Sequence, residues 1–184
     1  MSGNDIGAEF LGDSLRQFRK YKALADGALA QVNEGDLFRA IDPESNSIAV
    51  VMKHVAGNMR SRWTDFLTTD GEKPDRNRDT EFELGPDDTR ARILELWENG
   101  WRLLFEALAP LASADVSRTV TVRGEAHTVL QAVDRQLTHY AYHVGQIVFL
   151  ARHFAGSRWA SLSIPKGKSR EFDVAKDGQP YSVR

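Results

Sequence analysis

Four stretches of this chain repeat apolar residues at three- and four-residue steps, and that periodicity limits what it can fold into more than any other feature. In the first, spanning residues 6–32, the stripe is Phe10, Leu15, Phe18, Tyr21, Leu24, Ala25, Ala28 and Leu29. The second, residues 48–67, carries Ile48, Val51, Met52, Val55, Met59, Trp63 and Phe66 behind an N-cap at Asn46 or Ser47. In the third, Asp87 or Asp88 caps a stripe of Ile93, Leu94, Trp97, Trp101, Leu104, Phe105 and Leu108 that stops at Pro110. The fourth, residues 127–154, carries Leu130, Val133, Leu137, Tyr140, Val144, Ile147, Val148 and Ala151. Four amphipathic helices bury their stripes most simply against one another, so the pattern predicts an all-α four-helix bundle.

Between these stretches the period breaks. Residues 33–47 collect Gly, Pro, Asn and Ser into a connector, and residues 68–88 read as a long, polar surface loop. Val116, Val120 and Val122 fall on same-facing alternate positions before a turn-like Arg123, Gly124 and Glu125, which predicts a short extended segment before the last helix. Residues 156–184 read as an extended C-terminal arm. With no internal repeat and only short connectors, residues 1–184 form one expected domain.

Composition narrows the chemistry. The 184 residues contain no cysteine, which excludes disulfides, thiolate metal sites and a cysteine nucleophile and leaves His, Asp and Glu as metal ligands. A formal net charge of −2 gives no general attraction to nucleic acid or anionic membrane. The N-terminus lacks a basic segment followed by an apolar one, and no apolar run approaches the roughly 20 residues that span a bilayer, so a cytoplasmic location is expected.

The residues with chemistry to offer are histidines. His139 and His143 lie one helical turn apart and project from one face, a spacing at which two imidazoles reach a single ion. Ala132, Gln136, Ile147, Leu150 and Phe154 share their row, so the pair is expected to face other helices rather than water. Inward imidazoles need polar compensation, which a divalent metal supplies to both at once; zinc, nickel and iron all suit neutral imidazole. His54, at the border of the Val51 and Val55 stripe, is the candidate third ligand. The alternative is a pair of hydrogen-bonded bundle histidines with His54 in water. His127 reads as a residue of the cap region and His153 as a surface residue.

The order of these features resembles the DinB/YfiT-like superfamily of bacterial four-helix metal-binding proteins, in a branch of uncharacterised members. The resemblance rests on VVMKHVAGNM around His54, THYAYHVGQIVFL around His139 and His143, and the tail SLSIPKGKSREF. It implies that His54, His139 and His143 hold a divalent metal, and that the bundle runs up-down-down-up with a long crossover, for which residues 68–88 are suited. It also implies a frequent homodimer and, in some members, transfer or isomerisation chemistry using a low-molecular-weight thiol.

Two functions follow as expectations. As an enzyme, a metal-dependent hydrolase or thiol transferase, the protein would use the metal to lower the pKa of a thiol or water for attack on a small electrophile. Asn58 and Gln136, each one turn from a candidate ligand, are placed to hydrogen-bond a ligand or water. Arg158, Lys166 and Lys168 could hold a substrate carboxylate or phosphate if the arm folds over the site. No general base stands out, because the acidic residues lie in loops or on expected solvent faces. The competing expectation is a non-catalytic, metal-stabilised dimeric bundle with a stress or interaction role. A third, without metal, would use Trp63, Trp97 and Trp101 as an association surface. A mostly apolar pocket over the metal favours the enzyme and a sealed site favours the scaffold.

Overall fold

The computed structural model describes residues 5–171. It is mostly helical, with α1 over Ile6–Leu29, α2 over Glu34–Phe38, α3 over Ile48–Trp63, α4 over Arg90–Leu108 and α5 over Val129–Ala155. A small antiparallel hairpin, β1 over Thr119–Val122 and β2 over Glu125–Thr128, precedes α5. Among the described residues no helix is long and apolar enough to cross a membrane.

Local chemistry sets the helix ends. The Asp5 carboxylate accepts from the Ala8 amide at the start of α1, and the Ser47 hydroxyl accepts from Val50 at the start of α3. Thr89, rather than Asp87 or Asp88, caps α4 by accepting from Arg92. Asp88 is engaged elsewhere, accepting from the Gly85 amide and from Lys53 at 2.8 Å each. Asn33 caps a helical turn, α2, inside what the sequence presents as a plain connector. Thr128 and Gln131 form a reciprocal capping box, so α5 begins at Val129 and His127 stands on β2.

The expected apolar stripes meet in one core. Phe18 of α1, Met52 and Met59 of α3, Trp97 and Trp101 of α4, and Tyr140 and Ile147 of α5 are fully buried in it. α3 packs on α4 and on α5, and α1 packs on α5. The α3–α4 approach is close because Gly100 faces Met59 and the Ala56 backbone; a Cβ there would meet the Met59 sulfur at 3.1 Å. All three tryptophans of the association reading, Trp63, Trp97 and Trp101, lie inside this core, which removes them as a surface.

The extended segment is a two-stranded hairpin whose tight turn places Arg123 at φ 58° and Gly124 at φ 76°. Left-handed backbone at both turn positions matches the twist of a two-residue hairpin, and Gly124 adopts it without steric cost. The Asp70 carboxylate accepts from the amides of Glu72, Arg123 and Gly124, and the Gly71 amide donates to Thr121. These bonds tie the 68–88 segment to the hairpin and bring both beside the α3–α5 interface.

The C-terminal segment differs from the expected extended arm. Residues 156–158 form a 3-10 turn, and Ala160 exchanges two hydrogen bonds with the Gln31 side chain on α1. Leu162 packs against Gly27, also on α1. The rest of the predicted arm, residues 172–184, lies outside the described residues.

Candidate metal centre

Packing of α3 against α5 brings His54, His139 and His143 together, with a ligand nitrogen from each within 4.8 Å of the others. His54 is buried, and His139 and His143 are half-buried. Of the neighbours expected to face inward with the pair, Ala132, Gln136, Ile147 and Leu150 are buried and Phe154 is half-buried. His127 bonds the Glu125 carbonyl on the hairpin and His153 is exposed, so neither joins the cluster.

Hydrogen bonds orient two of the three rings. His54 Nδ1 lies 2.8 Å from Glu81 Oε2. A carboxylate only accepts, so Nδ1 carries a proton and Nε2 is the nitrogen that can offer a lone pair to an ion. His143 Nδ1 lies 2.9 Å from Gln146 Oε1, which fixes the same tautomer. His143 Nε2 and His139 Nε2 are 3.1 Å apart. That is close to the roughly 3.3 Å between two nitrogens coordinating one tetrahedral zinc. The rings cross nearly edge to face, at interplanar angles of 85° for His54 and His139 and 84° for His139 and His143. Three imidazoles whose ring nitrogens converge are the donor set that a divalent ion of the zinc, nickel or iron kind accepts.

Electrostatics disfavour protonation of His139 and His143. Burial, then the neighbouring His143 and His54, then the charges of Arg62 and Arg76, push His139 down to about 3 from its ordinary 6.5. Burial also lowers His143, although its bond to Gln146 works the other way. Both rings are therefore unprotonated at neutral pH, the form that binds a metal.

Glu81 is the site residue that sequence reasoning missed. It sits on a 3-10 turn, Asp79–Phe82, within the segment expected to be a surface loop, yet it is only 6% exposed. Phe82 beside it stacks on His54 with ring centroids 4.6 Å apart. Arg76 grips Glu81 through two bonds of 2.8 and 2.9 Å. Burial raises the Glu81 carboxyl, but hydrogen bonds from His54 and Arg76 and the Arg76 charge outweigh it and hold the group below the usual carboxylate range. One clue was available in the sequence: Phe82 and Leu84 are large apolar residues in an otherwise charged stretch.

Of the other expected site groups, Asn58 and Gln136 both line the cavity next to the histidines. Asn58 Oδ1 accepts from the Tyr140 hydroxyl, which itself accepts from Trp63 Nε1, each at 3.0 Å. The basic arm is not at the site. Arg158 reaches toward Asp36 at 3.7 Å and Lys168 pairs with Glu171, and none of Arg158, Lys166 and Lys168 lines the cavity. The cavity, about 450 Å³, is open and polar, unlike either the apolar pocket or the sealed site considered from sequence.

A family model matches residues 5–168, nearly the whole chain, under the description "protein of unknown function (DUF1572)". The chain belongs to the DUF1572 family. No curated protein and no solved structure matches it. All three clustered histidines, with Glu81 and Gln146, lie inside the part of the chain that the DUF1572 model spans.

Proposed function

We propose that this DUF1572 protein is a divalent-metal-binding four-helix bundle of the DinB/YfiT-like kind, with His54, His139 and His143 as ligands, acting as a metal-dependent hydrolase or thiol transferase on a small molecule. The observation that carries this reading is the convergence of three imidazoles from α3 and α5, two of them oriented through Nδ1 by Glu81 and Gln146. An acceptor bonded to the far ring nitrogen holds a metal-ligating histidine in the right tautomer. The packing of α3 on α4 and α5, and of α1 on α5, supports the bundle.

A bound ion would supply Lewis-acid activation of a thiol or water, and three protein ligands leave room for either. This chain's own residues do the rest. Glu81 fixes His54, while Arg76 holds Glu81 ionised. Asn58, oriented by Tyr140, and Gln136 present polar atoms from the cavity wall. The test is a screen of thiol transfer and hydrolysis with the zinc-, nickel- and iron-loaded protein. Turnover that disappears in His139→Ala supports the enzyme, and its absence with every metal and thiol removes it.

The second reading is a non-catalytic, metal-stabilised homodimer. It is favoured by exposed apolar side chains on α5, Tyr142 and Phe149, each 65% exposed, with Ile41 on the connector also exposed. Sedimentation of the wild type beside Phe149→Glu tests the association: a dimer that becomes a monomer supports it, and a wild-type monomer ends it.

A further inference from the structure

The cavity beside the three histidines is walled by five arginines, Arg62, Arg76, Arg78, Arg123 and Arg135, and by no carboxylate. Two nearby acids balance part of this charge: Glu72 pairs with Arg62, Arg76 and Arg123, and Glu81 pairs with Arg76. Arg78 lies over the Phe82 ring, and neither it nor Arg135 has a carboxylate partner among the described residues. A whole-chain charge of −2 therefore hides a locally positive recess. A divalent ion on the histidines would add to that excess. Positive charge concentrated in a cleft attracts and orients anions.

One buried donor is also unanswered. The Arg62 side chain is 6% exposed; its Nη1 donates to the Gly71 carbonyl and to Glu72, while its Nε has no acceptor. Gln136 Oε1, in the same wall, is a buried acceptor without a donor. Both atoms are shielded from solvent, so the groups left to meet a ligand in the recess are the exposed guanidinium groups of Arg78 and Arg135.

We propose that this recess binds the oxyanion of a small-molecule substrate, a carboxylate or a phosphate, held by Arg78 and Arg135 so that the rest of the molecule lies over the histidine cluster. Guanidinium groups suit this task because their planar fork matches two oxygens of either group. The proposal rests on the reading of the histidines as a substrate-processing centre, but the arginines are separable from it experimentally.

The test is calorimetric titration of inorganic phosphate and, separately, of malonate into the full chain at constant ionic strength. Wild type is compared with Arg78→Gln, Arg135→Gln and the double variant, each zinc-loaded and after chelation. Both positions are exposed, so these variants keep the core intact. The expected result is one site for at least one anion, weakened about tenfold or more in the double variant with zinc content unchanged. Which anion binds more tightly distinguishes phosphate from carboxylate. Arginine-dependent binding to a protein that takes up no zinc keeps the proposal and ends the metal reading. Binding of neither anion, or equal binding by wild type and double variant, overturns the proposal and leaves the metal reading standing.

Discussion

Glu81 Oε2 lies 2.8 Å from His54 Nδ1 with both side chains buried, so a residue of the 68–88 segment sets the tautomer of a histidine 27 positions earlier in the chain. Removing the carboxylate should act on two properties at once. Glu81→Ala should weaken zinc binding by about 10- to 100-fold, because His54 loses the partner that orients it. It should also cost on the order of 3 kcal/mol of stability, because Arg76 is left as a buried, partly unpaired charge. Competition with a chromogenic chelator measures the first and urea unfolding the second. Unchanged zinc affinity would show that Glu81 only supports the loop.

Gly57 makes room for that carboxylate. A Cβ at position 57 would lie 2.3 Å from Glu81 Oε1 and 2.7 Å from its Cδ, far inside contact distance. Gly57→Ala should push Glu81 off His54, losing about 1–3 kcal/mol of stability despite the better helix propensity of alanine. Zinc affinity should fall in parallel. A variant as stable as wild type, with zinc affinity intact, would contradict the described packing.

The metal-free protein should weaken as the solution is acidified. His139 is held at about 3 in the fold and titrates near 6.5 when unfolded, so between those values the unfolded chain binds a proton that the folded chain does not. Stability then falls as pH drops from 6.5 toward 3. His143, also lowered, adds to the same slope, and Glu81, lowered from 4.5, adds to it at the acid end. Chemical unfolding at a series of pH values after chelation should show this loss, reduced in His139→Gln. A flat profile between pH 7 and 5 would contradict it.

Tyr140 links the core to the cavity wall. Its hydroxyl accepts from Trp63 Nε1 and donates to Asn58 Oδ1, all three groups being buried. Tyr140→Phe keeps the ring contacts with Phe18 and Trp101 but strands one donor and one acceptor. A loss of about 2 kcal/mol in urea unfolding is expected. A neutral substitution would mean that the network contributes little.

Helices and histidines were legible for the same reason: a residue's facing on a helix follows from its spacing. His139 and His143 had to share a face, and the buried row around Gln136 and Ile147 followed with them. Pairing His54 with them required tertiary packing, which spacing alone left open and the family resemblance supplied. Glu81 was illegible because a polar loop has no period to read. Its burial depends on Arg76, Phe82 and Gly57 acting together across elements. The arginine wall was hidden likewise, since Arg62, Arg78, Arg123 and Arg135 come from four different segments. In the hairpin, alternation pointed to extended backbone, and the pairing partner, β2, emerged only from the left-handed turn at Arg123 and Gly124.

His54, His139 and His143 are proposed to hold one divalent ion. Elemental analysis of purified, untagged protein, with His54→Ala and His139→Ala at matched concentration, tests it most directly. Near-stoichiometric zinc, nickel or iron in the wild type, lost from both variants, is the expected result. A wild type that carries no metal even after reconstitution, or variants that retain it in full, would contradict the assignment.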